Sequence, residues 1–95
     1  MRALYPIVGT KFREGAEAFL KTLKAGEPLT LEREPANAFD PLAVQVHARG
    51  LFIGYLPKKD RAAFGMAMDE NPQLVPKAVL RFSANSGYPH AEVEE

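Results

Sequence analysis

Residues 31–57 read LEREPANAFDPLAVQVHARGLFIGYLP. Strand-like runs here meet a polar loop and then a tight turn. In Pro28 to Glu34, Leu29 and Leu31 alternate with Thr30 and Glu32, so the leucines share one face of a strand and Arg33 falls on it too. Pro35 ends regular pairing. The loop from Pro35 to Pro41 holds Asn37, Phe39 and Asp40 between its two prolines. Pro41 to Ala48 resumes the β period, with Leu42, Val44 and Val46 on one face. Arg49-Gly50 is a hairpin turn, because Gly accepts the positive φ that such turns need. Leu51 to Leu56 follows, with Leu51, Ile53 and Tyr55 in phase. Gly54 leaves the other face bare, which marks a bulge or the close approach of another group.

Ala3 to Phe12 reads as a first strand, with β-favouring Tyr5, Ile7 and Val8 and a bend at Gly9-Thr10. Glu14 to Ala25 reads as a helix: Ala16, Phe19, Leu20 and Leu23 recur at helical spacing, and Gly26 stops it. Glu14 and Glu17 lie early and Lys21 and Lys24 late, as the helix dipole favours. Beyond the opening stretch, Pro57 starts a second helix over Lys58 to Glu70, with Ala62, Phe64, Ala67 and Met68 facing the core, and Asn71-Pro72 ends it. Val75 to Phe82 is a fifth strand, Asn85-Ser86-Gly87 a turn, and Tyr88 to Val93 a short last strand. The order β-α-β-β-β-α-β-β predicts a mainly β fold with two helices (α+β), a small six-stranded barrel of the OB-like or SH3-like kind. The whole of residues 1–95 is expected to form one domain, with its core over about 3–82.

Composition excludes several classes. The chain has no cysteine, so disulfides, thiolate zinc sites and cysteine nucleophiles are ruled out, and a cytoplasmic setting is expected. No apolar run reaches the roughly 18 residues of a membrane span, and the first residues are too interrupted for a signal peptide. Lys and Arg total 12 and so do Asp and Glu, so the net charge does not announce a nucleic-acid binder. Cations nevertheless gather at Lys11, Arg13, Lys21, Lys24 and Arg33 and again at Lys58, Lys59 and Arg61, while Glu92, Glu94 and Glu95 load the tail.

The residues do not read as an enzyme. His47 and His90 are the only histidines, and both are expected at the surface. There is no nucleophile elbow, phosphate loop, metal motif or cofactor motif. Glu34 precedes Pro35 and reads as a solvated strand end; Asp40 precedes Pro41 and reads as a turn residue. The loop itself leaves two readings open. Asn37 and Asp40 fix it by bonding backbone amides, with Phe39 plugging the barrel; or the same residues face a ligand. In the second reading Phe39 offers a stacking face, Asn37 offers donors and an acceptor, and nearby cations meet phosphates. An acid repels phosphate but accepts from a hydroxyl, so Asp40 fits a sugar hydroxyl at a chain end.

The run Arg33 to Val44 (REPANAFDPLAV), followed by Ile53-Gly54-Tyr55-Leu56-Pro57, resembles the HIRAN domain. Ile7-Val8-Gly9-Thr10-Lys11-Phe12 is similar to that family's first strand. The resemblance runs from about Ala3 to Phe82. It implies a modified OB-like six-stranded barrel with two helices, and binding of single-stranded DNA at a free 3′ end in DNA repair or replication-fork processing. By residue, it implies that Asp40 accepts from the terminal hydroxyl, with Asn37 as its polar partner and Phe39 packed on the last nucleotide. Lys11 and Phe12 correspond to a basic–aromatic pair that contacts phosphate and stacks a base, and Tyr55 and Lys58 line the same groove. Arg33 is added as a further phosphate contact from its place beside the loop. The chain departs from the pattern at position 39, where Phe lacks the usual Tyr hydroxyl, at Lys11, where Arg is usual, and at Tyr55, which replaces a His. A helicase or nuclease is the implied protein partner, and no cofactor is implied. The alternative is a protein-interaction or scaffold domain that holds a peptide in this groove.

Overall fold

The computed structural model describes residues 2–57, 66, 68–71 and 76–94. Six strands run in chain order: β1 (Arg2–Pro6), β2 (Pro28–Arg33), β3 (Val44–Ala48), β4 (Leu51–Tyr55), β5 (Lys77–Phe82) and β6 (Pro89–Glu94). One helix, α1 (Ala16–Leu20), lies between β1 and β2, and residues 66 and 68–70 are helical between β4 and β5. The predicted order of elements is therefore observed. The strands form one antiparallel sheet in the order β1-β6-β5-β2-β3-β4, curled into a half-barrel.

The curl originates in β2. Its first residues, Pro28 and Leu29, pair with β5, and Thr30 to Arg33 pair with β3. One strand thus serves two sheet faces and makes the corner between them. Leu29 and Leu31 alternate into the core as the sequence predicts. At the far end a single bridge brings the chain after β1 against the β4 edge: Val8 and Tyr55 exchange both backbone hydrogen bonds at 2.9 Å. Gly54 makes that approach possible. A Cβ there would lie 2.6 Å from the Val8 carbonyl oxygen and 2.8 Å from Ile7 Cγ2. The core inside the curl is built on Ile7, Val44, Val46, Ile53, Leu80 and Val93. Val93 and Ala91 come from β6, which pairs with β1 on one side and β5 on the other.

Several expected boundaries shift for local reasons. The first strand stops at Pro6 and does not reach Phe12; Gly9, at φ 77°, turns the chain into a 3-10 turn over Thr10–Phe12. The helix expected over 14–25 shrinks to Ala16–Leu20. Thr22 Oγ1 donates to the Phe19 carbonyl at 2.6 Å, and Thr22 and Leu23 take i−3 carbonyls, so the helix winds up into tighter turns. Its predicted face still holds, with Ala16, Leu20 and Leu23 buried. β3 begins at Val44 and not Pro41, and Leu42 lies in the turn before it. Arg49 and Gly50 both have positive φ, as a type I′ hairpin requires. Leu51 and Ile53 do not share a face: Val46 pairs with Gly54 and His47 with Phe52, so Ile53 is the extra residue of a bulge. Ile53 is buried and Leu51 is exposed. Of the second helix's expected core contacts, Met68 packs against the core, and Ala62, Phe64 and Ala67 lie outside the described residues, as do Val75 and Lys58.

Candidate nucleic-acid interface

The loop between β2 and β3 is held at both arms by the consecutive residues Arg33 and Glu34. Strand alternation sends their side chains to opposite faces. Arg33 clamps the exit arm. It donates to the carbonyls of Ala43 (2.7 Å) and Pro41 (2.8 Å) and forks onto both carboxylate oxygens of Asp69 at 2.8 Å. Its side chain is only 12% exposed. The guanidinium thus serves the loop and not open solvent, unlike the phosphate contact expected of it. The hydrogen bond to Asp69 is the main cause that holds Arg33 more firmly protonated, and the same contact holds the Asp69 carboxyl below its usual range.

Glu34 clamps the entry arm. Its carboxylate accepts from Asn37 Nδ2, from Gln45 Nε2 and from the Tyr55 hydroxyl at 2.9 Å. Burial pushes its carboxyl up, but the hydrogen bonds from Asn37, Tyr55 and Gln45, joined by the nearby Arg13 charge, outweigh that and hold it below the usual carboxylate range. Burial and the Glu34 carboxylate together raise Tyr55, with Arg13 pulling the other way. The sequence reading of Glu34 as a solvated strand end is therefore corrected: it is a half-buried hub. Its donors come from positions 37, 45 and 55, which only the β2–β3–β4 register brings together. Parity was an available signal for Gln45, which falls on the polar side of its strand; Tyr55 reads in phase with Ile53, and only the bulge at Ile53 turns it to this face.

Asn37 is the loop's inner brace. Its Oδ1 accepts from the backbone amides of Phe39 (2.9 Å) and Asp40 (3.0 Å), an Asx turn closed from within. Asp40 Oδ1 accepts from the Leu42 amide at 3.2 Å. Half of the loop-fixing reading is thus borne out. The other half is not: Phe39 does not plug the barrel but stands 94% exposed. Hydrogen bonds on both sides of it have taken up the loop's freedom, so the ring projects from a fixed base.

The second aromatic element is the 3-10 turn. Phe12 is 79% exposed, and Lys11 Nζ lies 5.2 Å from its ring centroid. Thr10 is buried beneath the turn, and the Phe12 and Arg13 amides bond back to the Gly9 and Thr10 carbonyls. Arg13, the next residue, places its guanidinium carbon 3.8 Å over the Phe52 ring. Phe52 stacks on His47 and meets the edge of Tyr55, both at 5.1 Å. His47 also bonds Glu32 at 2.9 Å and Gln45 at 2.7 Å, so it belongs to this polar face. Tyr55 is the hinge of the arrangement: its backbone joins Val8, and its hydroxyl joins Glu34.

Of the residues singled out in the sequence, Lys11, Phe12 and Tyr55 lie on the turn side, and Asn37, Phe39 and Asp40 on the loop side. Arg33 lies beneath the loop, and Lys58 is outside the described residues. Sequence reasoning missed Glu34, Arg13, Phe52 and Gln45. No helix among the described residues is long and apolar enough to cross a membrane.

A family model for the HIRAN domain matches residues 2–93. No curated protein sequence matches the chain. Among solved structures, a protein from Lactobacillus plantarum superposes with a TM-score of 0.77 at 21% identity, over 98% of this chain and 93% of its own. The HIRAN domain of human HLTF superposes with a TM-score of 0.73 at 24% identity, over 97% of this chain and 74% of its own. At these identities the superpositions speak for the fold, a curled OB-like half-barrel.

Proposed function

The chain belongs to the HIRAN-domain family, and on that premise we propose that it binds single-stranded DNA and recognises a free 3′ end through its hydroxyl. The observation that carries this reading is Phe39, an almost fully exposed aromatic on a loop braced from both sides. A rigid, uncovered ring offers a face on which any base can stack, at about 1–3 kcal/mol per base. Phe12 offers a second face, with Lys11 beside it for a phosphate. The face alone does this work at position 39, since Phe carries no hydroxyl.

Asp40 gives the reading its polarity. A carboxylate next to a stacking ring repels a phosphate and accepts a hydrogen bond from a hydroxyl. A 3′-terminal sugar presents that hydroxyl. Asn37 holds the Asp40 amide and so sets where the carboxylate stands. Arg33 contributes by fixing the loop, and Lys58, next to Leu56-Pro57, supplies a further cation. The module would serve DNA repair or replication-fork processing, beside a helicase or nuclease that acts on the same end.

The test is a titration of labelled single-stranded oligonucleotides ending in a 3′-hydroxyl or a 3′-phosphate, at two salt concentrations. The hydroxyl end is expected to bind more tightly, with the difference lost in Asp40→Ala. Affinity is expected to fall with salt, as phosphate contacts require. Failure of both oligonucleotides to bind at low salt would overturn the proposal and turn attention to a peptide in the groove.

A further inference from the structure

We propose that Arg13 is a phosphate-binding residue of this groove and that Phe52 is the platform that holds its guanidinium flat, an inference that rests on the single-stranded DNA reading above. Four arginines have described side chains, and three of them are tied to carboxylates: Arg33 to Asp69, Arg49 to Glu27 and Arg81 to Glu92. Arg13 is different. Among the described residues no carboxylate or carbonyl takes a hydrogen bond from it, and it lies on an aromatic ring, 3.8 Å from the centroid. Glu34, the acid whose carboxyl feels its charge, already accepts from Asn37, Gln45 and Tyr55. Arg13 is therefore not required as the ion-pair partner of Glu34.

Stacking uses the face of the guanidinium and leaves its in-plane N–H groups directed outward. Phe52 is itself held, by the His47 ring stacked on it at 5.1 Å and by the edge contact with Tyr55. The result is an exposed planar fork whose orientation is set before a ligand arrives. Such a fork matches two oxygens of one phosphate, which a lysine ammonium does not. Its place fits as well. Arg13 follows Phe12 directly and lies on Phe52, whose ring meets the edge of Tyr55, and the Tyr55 hydroxyl bonds Glu34, so it stands between the turn and the foot of the loop. A strand whose bases stack on Phe12 and Phe39 carries a phosphodiester across the interval between them. That is the group the fork is set to meet.

The experiment measures anisotropy of a labelled 3′-hydroxyl oligonucleotide over a salt series with wild type, Arg13→Gln, Arg13→Lys and Phe52→Leu, each checked for an unchanged thermal melt. Arg13→Gln should bind about tenfold more weakly. The slope of log K against log salt should fall by about 0.7, the loss of one contact on a single strand. Arg13→Lys should keep the slope and recover only part of the affinity, and Phe52→Leu should fall between wild type and Arg13→Gln. Wild-type affinity and slope in Arg13→Gln overturn the phosphate contact while leaving the DNA reading in place. Full recovery by Arg13→Lys, or wild-type binding by Phe52→Leu, overturns the platform. No binding by wild type at low salt overturns the DNA reading, and this inference with it.

Discussion

The two exposed aromatics of the groove are held by different means. Phe39 stands on a loop pinned by side chains: Arg33 at its exit, Glu34 at its entry and Asn37 within. Phe12 stands on a turn pinned by backbone: the Gly9 turn, the 3-10 hydrogen bonds and the Val8–Tyr55 bridge. The first device is modular, and its parts can be removed one at a time. The second is part of the barrel's closure, and it fails together with the fold. Only Tyr55 belongs to both.

The largest effect should come from the turn side. Gly54→Ala puts a Cβ 2.6 Å from the Val8 carbonyl oxygen. Relief requires Val8 to retreat from Tyr55, so the bridge is lost. A cost of about 3 kcal/mol is expected, at the upper end of overpacking. A urea melt should show it as a lower midpoint, and an unchanged midpoint would mean that the closure is not tight here. On the loop side Glu34→Ala removes the acceptor for Asn37, Gln45 and Tyr55. Half-buried donors left without partners cost about 2 kcal/mol. Its signature should be local: the amides of Phe39 and Asp40 exchange faster with deuterium while those of β5 and β6 keep their protection. Uniform loss of protection would show that the loop is no separate module.

Smaller cuts separate the two devices further. Asn37→Ala releases the Phe39 and Asp40 amides and should cost about 1 kcal/mol. It should also reduce the preference for a 3′-hydroxyl more than it reduces total DNA affinity. An equal loss of both would mean that the Asx turn does not set the position of Asp40. Tyr55→Phe keeps the backbone bridge and the ring packing but removes the bond to Glu34, for about 0.5–1 kcal/mol. Loop exchange should rise while the Val8 amide stays protected.

The same contrast explains what the sequence disclosed. Period-two alternation revealed β2, β3 and β5, because Leu29 and Leu31, Val44 and Val46, and Ala78 and Leu80 face a shared core. Gly54 was legible as a close approach, since a bare position in a strand has few other uses. The loop was legible in kind, because proline, asparagine and aspartate carry their turn chemistry locally. Phe39 was not: a ring in a loop reads the same whether it points in or out, and the Glu34–Arg33 brace decides it. The 3-10 turn was legible only as a bend at Gly9-Thr10, for the opposite reason. Tyr5, Ile7, Val8 and Phe12 all favour strands, and the signal that ends the strand at Pro6 is a pairing with Tyr55, nearly fifty residues away. Glu34 was misread because two of its three donors, Gln45 and Tyr55, come from other strands.

Acid separates the loop from the turn without a mutation. The folded-state pKa of Glu34 lies below its ordinary value because the bonds from Asn37, Tyr55 and Gln45 outweigh burial, which acts first and in the opposite direction. A depressed carboxylate pKa means that the unfolded chain binds the proton more readily than the folded one. The stabilisation from Glu34 is therefore complete above the unfolded pKa and is lost as pH falls through the folded value. Protonation turns one acceptor oxygen into a donor facing other donors. The expected outcome is a faster exchange of the Phe39 and Asp40 amides, relative to the intrinsic rate, as pH falls below the ordinary glutamate range. Amides of the Val8–Tyr55 bridge, which no carboxylate holds, should keep their protection over the same interval. In Glu34→Gln the acid dependence at Phe39 should flatten. If it persists there unchanged, another carboxylate governs the loop, and Asp69, which holds Arg33 and also lies below its usual range, becomes the group to titrate.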